Sequence, residues 1–192
     1  MKKLFTLSAL IISAQCSLAQ PAKPSYSYFE GINLSMGAGY NKTEKTNSST
    51  AEKTGANTSV GIAKINYTFA LAYPAKLGIT GTFDLKNSKI SETETLATNG
   101  ITEVSVEPGI LLMSNSLLYA KLGSYSSRYE AGANAARNLS GTSVGIGIKH
   151  FVYGQNFIQA EWTQRKADDN PAGMVGIKLK QTSAAVLVGF NF

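Results

Sequence analysis

The chain has 192 residues, of which 43% are hydrophobic and 16% are charged, with a formal net charge of +6 and a mean hydropathy of −0.05. This length allows one domain with a sizeable core, and the charged fraction is below the roughly 25% that is usual for soluble domains. Aromatic and aliphatic residues occur throughout, which argues against disorder, and the absence of a three-residue Gly repeat or a heptad repeat excludes collagen-like and coiled-coil folds.

The first 19 residues have the organisation of a secretory signal peptide. Lys2 and Lys3 are basic, the apolar run 4–12 is too short to span a bilayer, and residues 17–19 (SLA) are suited to cleavage. We expect residues 1–19 to be removed and residues 20–192 to form the mature domain. The only cysteine, Cys16, is then lost, so the mature domain has no disulfide. Its net charge falls to about +4 without a basic and aromatic cluster, so no nucleic-acid partner is expected.

The mature chain alternates between apolar and polar residues, which is the pattern of β-strands with two different faces. Eight segments show it, with apolar residues at alternate positions of 32–40, 61–73, 77–85, 104–112, 118–122, 144–148, 158–162 and 184–192. Pro108 cannot donate a ladder hydrogen bond, so we expect a local bulge there.

The connections between these segments alternate in length. Short turns are predicted near Pro74, Ser114 and Gly154, and long polar loops at 42–57, 87–101, 126–142 and 166–175. A soluble β-sandwich and a lipocalin-type barrel would both bury the apolar face inside the protein. A transmembrane barrel would turn that face to lipid and would carry short turns at one end and long loops at the other.

The composition of the polar face favours the transmembrane barrel. It combines many small residues with charged ones, which can pair inside a closed barrel: Lys64, Asp84, Lys86, Glu103, Glu107, Lys121, Lys149, Glu161 and Arg165. Closure also removes the unpaired strand edges that a bilayer does not tolerate. We therefore predict an all-β, eight-stranded antiparallel transmembrane β-barrel with short periplasmic turns and long extracellular loops. Aromatic residues near the ends of the segments are assigned to interfacial girdles: Tyr40, Phe69, Tyr73, Trp162, Phe190 and Phe192.

Three segments carry a family resemblance. Residues 184–192 (AAVLVGFNF) resemble the final strand of bacterial outer-membrane barrels, and residues 158–162 (IQAEW) and 145–149 (GIGIK) resemble the seventh and sixth strands of small OmpA-like and OmpX-like barrels. The resemblance implies an outer-membrane location and a structural, surface-interacting role like that of porin-like surface antigens. It also implies that Val188, Phe190 and Phe192 form the signal read by the barrel assembly machinery.

An eight-stranded barrel has an interior just wide enough for side chains to fill. We expect Glu103, Glu107 and Glu161 to balance Lys64, Lys121, Lys149 and Arg165, because unpaired buried ions are costly. Two interpretations remain open, namely a plugged, ion-paired interior and a narrow channel whose selectivity these charges set.

Little in the sequence indicates catalysis, and no catalytic residue, metal site or cofactor is assigned. His150 is the only histidine, and its parity places it on the lipid-facing side near a short turn. Lipid A deacylases are barrels with a His/Ser pair, but no serine follows His150 two residues on, which weakens the comparison. A lipid-modifying enzyme is therefore the second alternative, after the narrow channel.

The predicted loops carry the remaining candidate partners. Outer-membrane lipids and lipopolysaccharide phosphates are expected to meet basic residues at the extracellular rim, and the loops are expected to reach host or surface ligands. These basic residues are Lys42, Lys45, Lys53, Arg128, Arg137, Lys178 and Lys180.

Overall fold

Nearly every residue that the structure describes belongs to a β-strand. The computed structural model describes residues 29–47, 50–86, 88–89, 94–131, 134–168 and 177–192, so the predicted signal peptide lies outside the described residues. The strands are β1 (Gly31–Asn47), β2 (Lys53–Ala72), β3 (Ala75–Asp84), β4 (Ser88–Lys89), β5 (Glu94–Met113), β6 (Ser116–Ala131), β7 (Asn134–Tyr153), β8 (Asn156–Ala167) and β9 (Ile177–Asn191). No helix in this part of the chain is long and apolar enough to cross a membrane.

Eight of the strands form a closed antiparallel ring. Each of β1, β2, β3, β5, β6, β7, β8 and β9 pairs with the next, and β9 pairs back with β1. The remaining strand, β4, lies outside this ring and contributes two residues that pair with β5. A closed ring satisfies the backbone hydrogen bonds within the sheet, as the hydrocarbon interior of a membrane requires. The predicted eight-stranded barrel is confirmed.

The two faces of the ring have the opposite polarity to those of a soluble protein. Ile146 and Val106 are 51% and 44% exposed on the outside, whereas Lys121 and Glu103 are fully buried inside. Because Val, Ile and Leu prefer contact with hydrocarbon, this outer surface is suited to lipid and not to water. A sandwich or a lipocalin-type barrel, with its apolar face inside, does not describe this chain.

The connections differ from the prediction at one end of the barrel. The short turns are present at residues 73–74, 114–115 and 154–155, and Gly154 adopts a positive φ of 55° there. Three predicted long loops, 42–57, 87–101 and 126–142, are mostly strand. The reason is that β1 and β2 extend to Asn47 and Lys53, β5 begins at Glu94, and β6 and β7 extend to Ala131 and Asn134. Most of the fourth predicted loop, 166–175, lies outside the described residues. These hairpins pair backbone with backbone beyond the apolar band, where no apolar alternation marks them in the sequence. We call the two ends of the barrel the short-turn end and the long-hairpin end.

The bulge expected at Pro108 is wrong. Pro108 pairs with Leu77 of β3, and β5 keeps one register with β6 on both sides of the proline, from Val106–Leu122 to Gly109–Tyr119. Neither residue 107 nor residue 108 is paired with β6, so the missing N–H is accommodated by a local gap in pairing. The irregularities between β5 and β6 lie elsewhere, between Ala97 and Thr102 and between Leu111 and Met113.

Candidate functional site

The interior of the barrel contains a continuous chain of ion pairs. Seven residues alternate in charge along it, in the order Glu107, Lys64, Glu161, Lys121, Glu103, Arg165 and Asp84. We call this set the charge ladder. Their side chains are at most 7% exposed, because each sits at an inward position of its strand.

The distances within the charge ladder are those of charge-assisted hydrogen bonds. Lys64 Nζ lies 3.0 Å from Glu107 Oε1 and also contacts Glu161. Lys121 Nζ lies 2.9 Å from Glu161 Oε1 and 2.8 Å from Glu103 Oε1. Arg165 Nε lies 2.7 Å from Glu103 Oε2, and its Nη1 lies 3.0 Å from Asp84 Oδ2. Each cation therefore joins two carboxylates.

The charge ladder crosses the lumen from wall to wall. Arg165 belongs to β8 and Asp84 to β3, which lie four strands apart in either direction around the ring, on opposite walls. Lys64 of β2 reaches Glu161 of β8, three strands away. The space along the axis is therefore occupied by side chains at these levels.

Uncharged groups complete the hydrogen bonding of the two central glutamates. Tyr119 Oη donates to Glu161 Oε2 over 2.8 Å and accepts from Gln159 Nε2 over 2.7 Å. Thr163 Oγ1 donates to Glu161 and Ser143 Oγ to Glu103, each over 3.0 Å. Buried carboxylates need such donors to offset the loss of water.

A polar cluster continues the charge ladder towards the long-hairpin end. Arg165 Nη1 donates to Gln181 Oε1 over 2.9 Å, and Gln181 Nε2 donates to Ser88 Oγ over 3.0 Å. Asn41 Nδ2 donates to Ser88 Oγ and, over 3.2 Å, to Asp84 Oδ2. Ser88 and Gln181 are not predictable from the sequence, because single uncharged polar residues give no specific signal at an inward position.

Lys149 does not pair as expected. Its Nζ lies 3.2 Å from Asn33 Oδ1 and 4.8 Å from the centre of the Phe157 ring, and among the described residues it makes no ion pair. The described interior holds five buried cations (Lys64, Lys76, Lys121, Lys149, Arg165) and four carboxylates (Asp84, Glu103, Glu107, Glu161), and Lys76 pairs with the more exposed Glu30 over 2.5 Å. Lys149 therefore balances the four carboxylates together with Lys64, Lys121 and Arg165. Lys86, also predicted on the polar face, is exposed beyond the end of β3.

Two glycines make room for large inward side chains. A Cβ on Gly147 would lie 2.2 Å from Tyr119 Oη, and a Cβ on Gly189 would lie 2.3 Å from Phe157 Cζ. Tyr119 and Phe157 therefore lie directly over the backbone of β7 and β9. Glycine at these positions lets the interior hold aromatic rings as well as ions.

An apolar cluster fills the lumen at the short-turn end, where the sequence analysis predicted none. Phe29, Leu117, Phe151 and Phe157 are all at most 4% exposed and pack together. The rings of Phe29 and Phe151 meet edge to face with centroids 4.8 Å apart, and those of Phe151 and Phe157 lie 5.4 Å apart. We call this set the apolar plug. Phe151 and Phe157 have the inward parity of their strands, so the signal was present in the sequence.

The apolar plug leads to a first testable prediction. Phe29→Leu keeps an apolar side chain but removes the edge-to-face contact with Phe151, so we expect the free energy of unfolding to fall by about 1 kcal/mol. Urea titration of the refolded barrel in lipid vesicles measures this change. An unchanged unfolding midpoint would show that Phe29 does not pack in the lumen.

Four of the six residues assigned to the interfacial girdles, namely Tyr40, Phe69, Tyr73 and Trp162, face outwards, but two of these four lie away from the strand ends. Tyr73 follows the end of β2 and Phe69 lies close to it, whereas Tyr40 and Trp162 lie in the middle parts of β1 and β8. Tyr40 and Trp162 both pair with Ala184. The next outward residues on their strands are Lys42 and Gln164, so these two rings mark the edge of the apolar band and not the ends of the strands.

The three residues assigned to an assembly signal lie at the closure of the ring. Val188 and Phe192 are exposed on the outside, and Phe190 is half-buried with its ring 5.0 Å from that of Phe192. The backbone N of Phe192 donates to Ile32 O over 2.8 Å, which joins the end of the chain to β1.

His150 is exposed on the outside near a short turn, and it has a serine partner that the sequence did not reveal. Ser116 Oγ lies 2.8 Å from His150 Nδ1, because the two residues are direct cross-strand neighbours on β6 and β7. Ser116 is buried, and among the described residues no hydrogen bond orients His150 Nε2. The same residues contain no group of three His, Cys, Asp or Glu side chains placed to hold a metal.

Several solved structures are similar to this chain at low sequence identity. Neisserial surface protein A superimposes with a TM-score of 0.53 at 13% identity, over 85% of this chain and 100% of that one. Ail of Yersinia pestis, in complex with the heparin analogue sucrose octasulfate, gives 0.49 at 16% identity over 83% and 99%. The N-terminal β-barrel domain of Pseudomonas aeruginosa OprF gives 0.45 at 12% identity over 81% and 97%. No protein-family model matches the sequence, and no curated protein matches it significantly.

The closed ring, the lipid-facing surface and the similarity to neisserial surface protein A define the class of the protein. The chain has the fold of a small eight-stranded transmembrane β-barrel.

Proposed function

We propose that this protein is a closed structural barrel of the outer membrane, which presents its long-hairpin end to the outside and does not conduct solutes. The observation that carries the proposal is the charge ladder, whose ion pairs join opposite walls of the lumen. The apolar plug adds a second layer of side chains at the short-turn end. A water-filled pore needs a free path along the axis, and these two layers occupy it.

Single-channel recording in planar bilayers tests this proposal. We expect no stepwise conductance from the full-length refolded protein. The double variant Asp84→Ser/Arg165→Ser serves as a comparison. It removes one charge of each sign and leaves Glu103 paired with Lys121. It also widens the lumen on the side of the long-hairpin end. Reproducible steps from the wild-type barrel would contradict closure and would favour the narrow channel.

The proposal includes assembly by the barrel assembly machinery, with Val188, Phe190 and Phe192 as the signal. Phe192→Ala keeps the backbone hydrogen bond to Ile32 but removes the exposed ring. We expect this variant to refold from urea into detergent like the wild type but to give less folded barrel in cells, as measured by heat-modifiable gel mobility. An equal cellular yield would show that Phe192 is only an interfacial aromatic residue.

We also propose that the long-hairpin end contacts lipopolysaccharide and surface ligands. Lys42, Lys53 and Lys178 are exposed there, and Lys180 is half-buried. Lysines near an anionic lipid surface each contribute about 1 kcal/mol of attraction. A role in surface contact is consistent with a barrel whose interior is closed.

A further inference from the structure

One sector of the outer surface combines an apolar groove with a cluster of lysines. The groove has a volume of about 700 Å³ and lies across β1, β9, β8 and β7. The small side chains of Ala38, Ala160 and Ala184 line it, between the bulkier Tyr40, Trp162 and Ile146. The register explains the grouping, since Ala184 pairs with both Tyr40 and Trp162, and Val186 pairs with both Ala38 and Ala160.

The lysines lie directly beyond the groove, towards the long-hairpin end. Lys42 follows Tyr40 on the outer face of β1, Lys166 lies beyond Trp162 on β8, and Lys180 of β9 pairs with Lys166. Lys178 is the next outward residue on β9. Four lysines therefore lie on three adjacent strands, at the border where the apolar surface ends.

Two carboxylates of the described residues share this surface. Glu44 pairs with Lys42 over 2.7 Å, so its carboxylate offsets the charge of that lysine. Asp168 accepts a hydrogen bond from Ser140 Oγ over 2.9 Å at the end of β8. Four lysines against two carboxylates leave a net positive charge. The corresponding outward positions on β6 and β7 are neutral, namely Ser124, Ser126, Ser140 and Thr142.

We propose that this sector is a binding site for one lipopolysaccharide molecule, with an acyl chain in the groove and its phosphates on Lys42, Lys166 and Lys180. The proposal rests on the outer-membrane placement of the barrel and deepens it. An apolar groove alone would accept the acyl chain of any lipid. The lysines beyond the groove, towards the long-hairpin end, favour a lipid with an anionic headgroup. These lysines lie at the long-hairpin end, which faces the outer leaflet, where lipopolysaccharide is the phosphorylated lipid.

The single tryptophan of the chain provides the readout, because Trp162 lines the groove. The full-length barrel, freed of lipid and refolded in zwitterionic micelles, is titrated with purified lipopolysaccharide and, separately, with phosphatidylglycerol. We expect a saturable change in Trp162 fluorescence with lipopolysaccharide only. Lys166→Gln/Lys180→Gln is expected to weaken the apparent Kd by about 25-fold, since each lysine contributes roughly fivefold.

Two control variants separate the site from general effects. Lys86→Gln/Lys89→Gln removes two exposed lysines outside this sector and is expected to bind like the wild type. Ala184→Leu fills the groove and is expected to weaken binding, whereas Ala63→Leu, at an outward position of β2 outside the groove, is expected to have no effect.

Three results would overturn the proposal. Equal Kd values for the wild type and Lys166→Gln/Lys180→Gln would exclude the lysines, and equal binding of phosphatidylglycerol would exclude a site for lipopolysaccharide. A wild-type dimer in sedimentation that Ala184→Leu converts to a monomer would assign the groove to a second copy of the chain. In each case the barrel would remain heat-modifiable and non-conducting, whereas failure of the proposed function would show as conductance by the wild type.

Discussion

Replacing Arg165 with alanine is expected to lower the free energy of unfolding by about 3–5 kcal/mol, the cost of breaking a buried ion pair from one side. Arg165 joins Glu103 and Asp84, with contacts of 2.7 and 3.0 Å, and all three side chains are at most 3% exposed. Its removal leaves Asp84 without a cation and Glu103 with Lys121 alone. Urea unfolding in lipid vesicles, followed by gel mobility, measures the loss.

Two further variants make this prediction specific. Arg165→Lys keeps the positive charge but replaces the planar guanidinium group, which donates several hydrogen bonds, with one compact ammonium group. We therefore expect an intermediate loss of unfolding free energy. Lys42→Ala breaks the exposed pair with Glu44 and is expected to leave the unfolding midpoint unchanged, because water screens that pair. If Arg165→Ala unfolds at the wild-type urea concentration, the ion pairs do not hold the interior together.

Gly147→Ala is expected to destabilise the barrel by about 1–3 kcal/mol, as overpacking of a tight interior does. The new Cβ would lie 2.2 Å from Tyr119 Oη and 2.3 Å from its Cζ. Tyr119 would have to move, and its hydrogen bonds to Glu161 and Gln159 would be strained or lost. Urea unfolding in the same vesicles measures the effect.

A double variant identifies the cause of that loss. The close contacts of a Cβ at Gly147 are all with the Tyr119 side chain, so Tyr119→Leu should make the added methyl group harmless. We expect Gly147→Ala to cost much less in the Tyr119→Leu background than in the wild type. Gly61→Ala is the matched control, since its Cβ would come no closer than 3.4 Å to Leu85. Equal costs in both backgrounds would mean that Tyr119 does not lie over Gly147.

The parity of each segment predicts most of the charged residues that face the lumen, because the period of a strand is two and a single parity holds along each segment. Glu103, Lys121 and Arg165 follow directly from that rule. The partners of these residues cannot be predicted in the same way, because an ion pair across the lumen depends on the strand order and stagger of the whole ring. Arg165 meets Asp84 from the opposite wall, and Lys149 meets Asn33 instead of a glutamate.

The apolar plug and the strand extensions show a second limit. Phe151 and Phe157 share the inward parity of Lys149, but the prediction of a uniformly polar interior does not include these two apolar rings. Beyond Tyr40, β1 continues for seven residues to Asn47 in polar sequence. Alternation of polarity reveals a strand only where its two faces differ in polarity, so strand extensions that are mostly polar on both faces are predicted as loops.

A transmembrane barrel requires hydrocarbon to cover its outer face, and Trp162 tests this without any mutation. It is the only tryptophan, it faces outwards, and it lies at the edge of the apolar band. The measurement is quenching of its fluorescence in vesicles whose lipids carry bromine at different depths of the acyl chain. We predict strong quenching by bromine near the headgroups, weaker quenching by bromine near the bilayer centre, and little quenching by aqueous iodide. Strong iodide quenching with no effect of brominated lipid would place Trp162 in water and would contradict the transmembrane barrel.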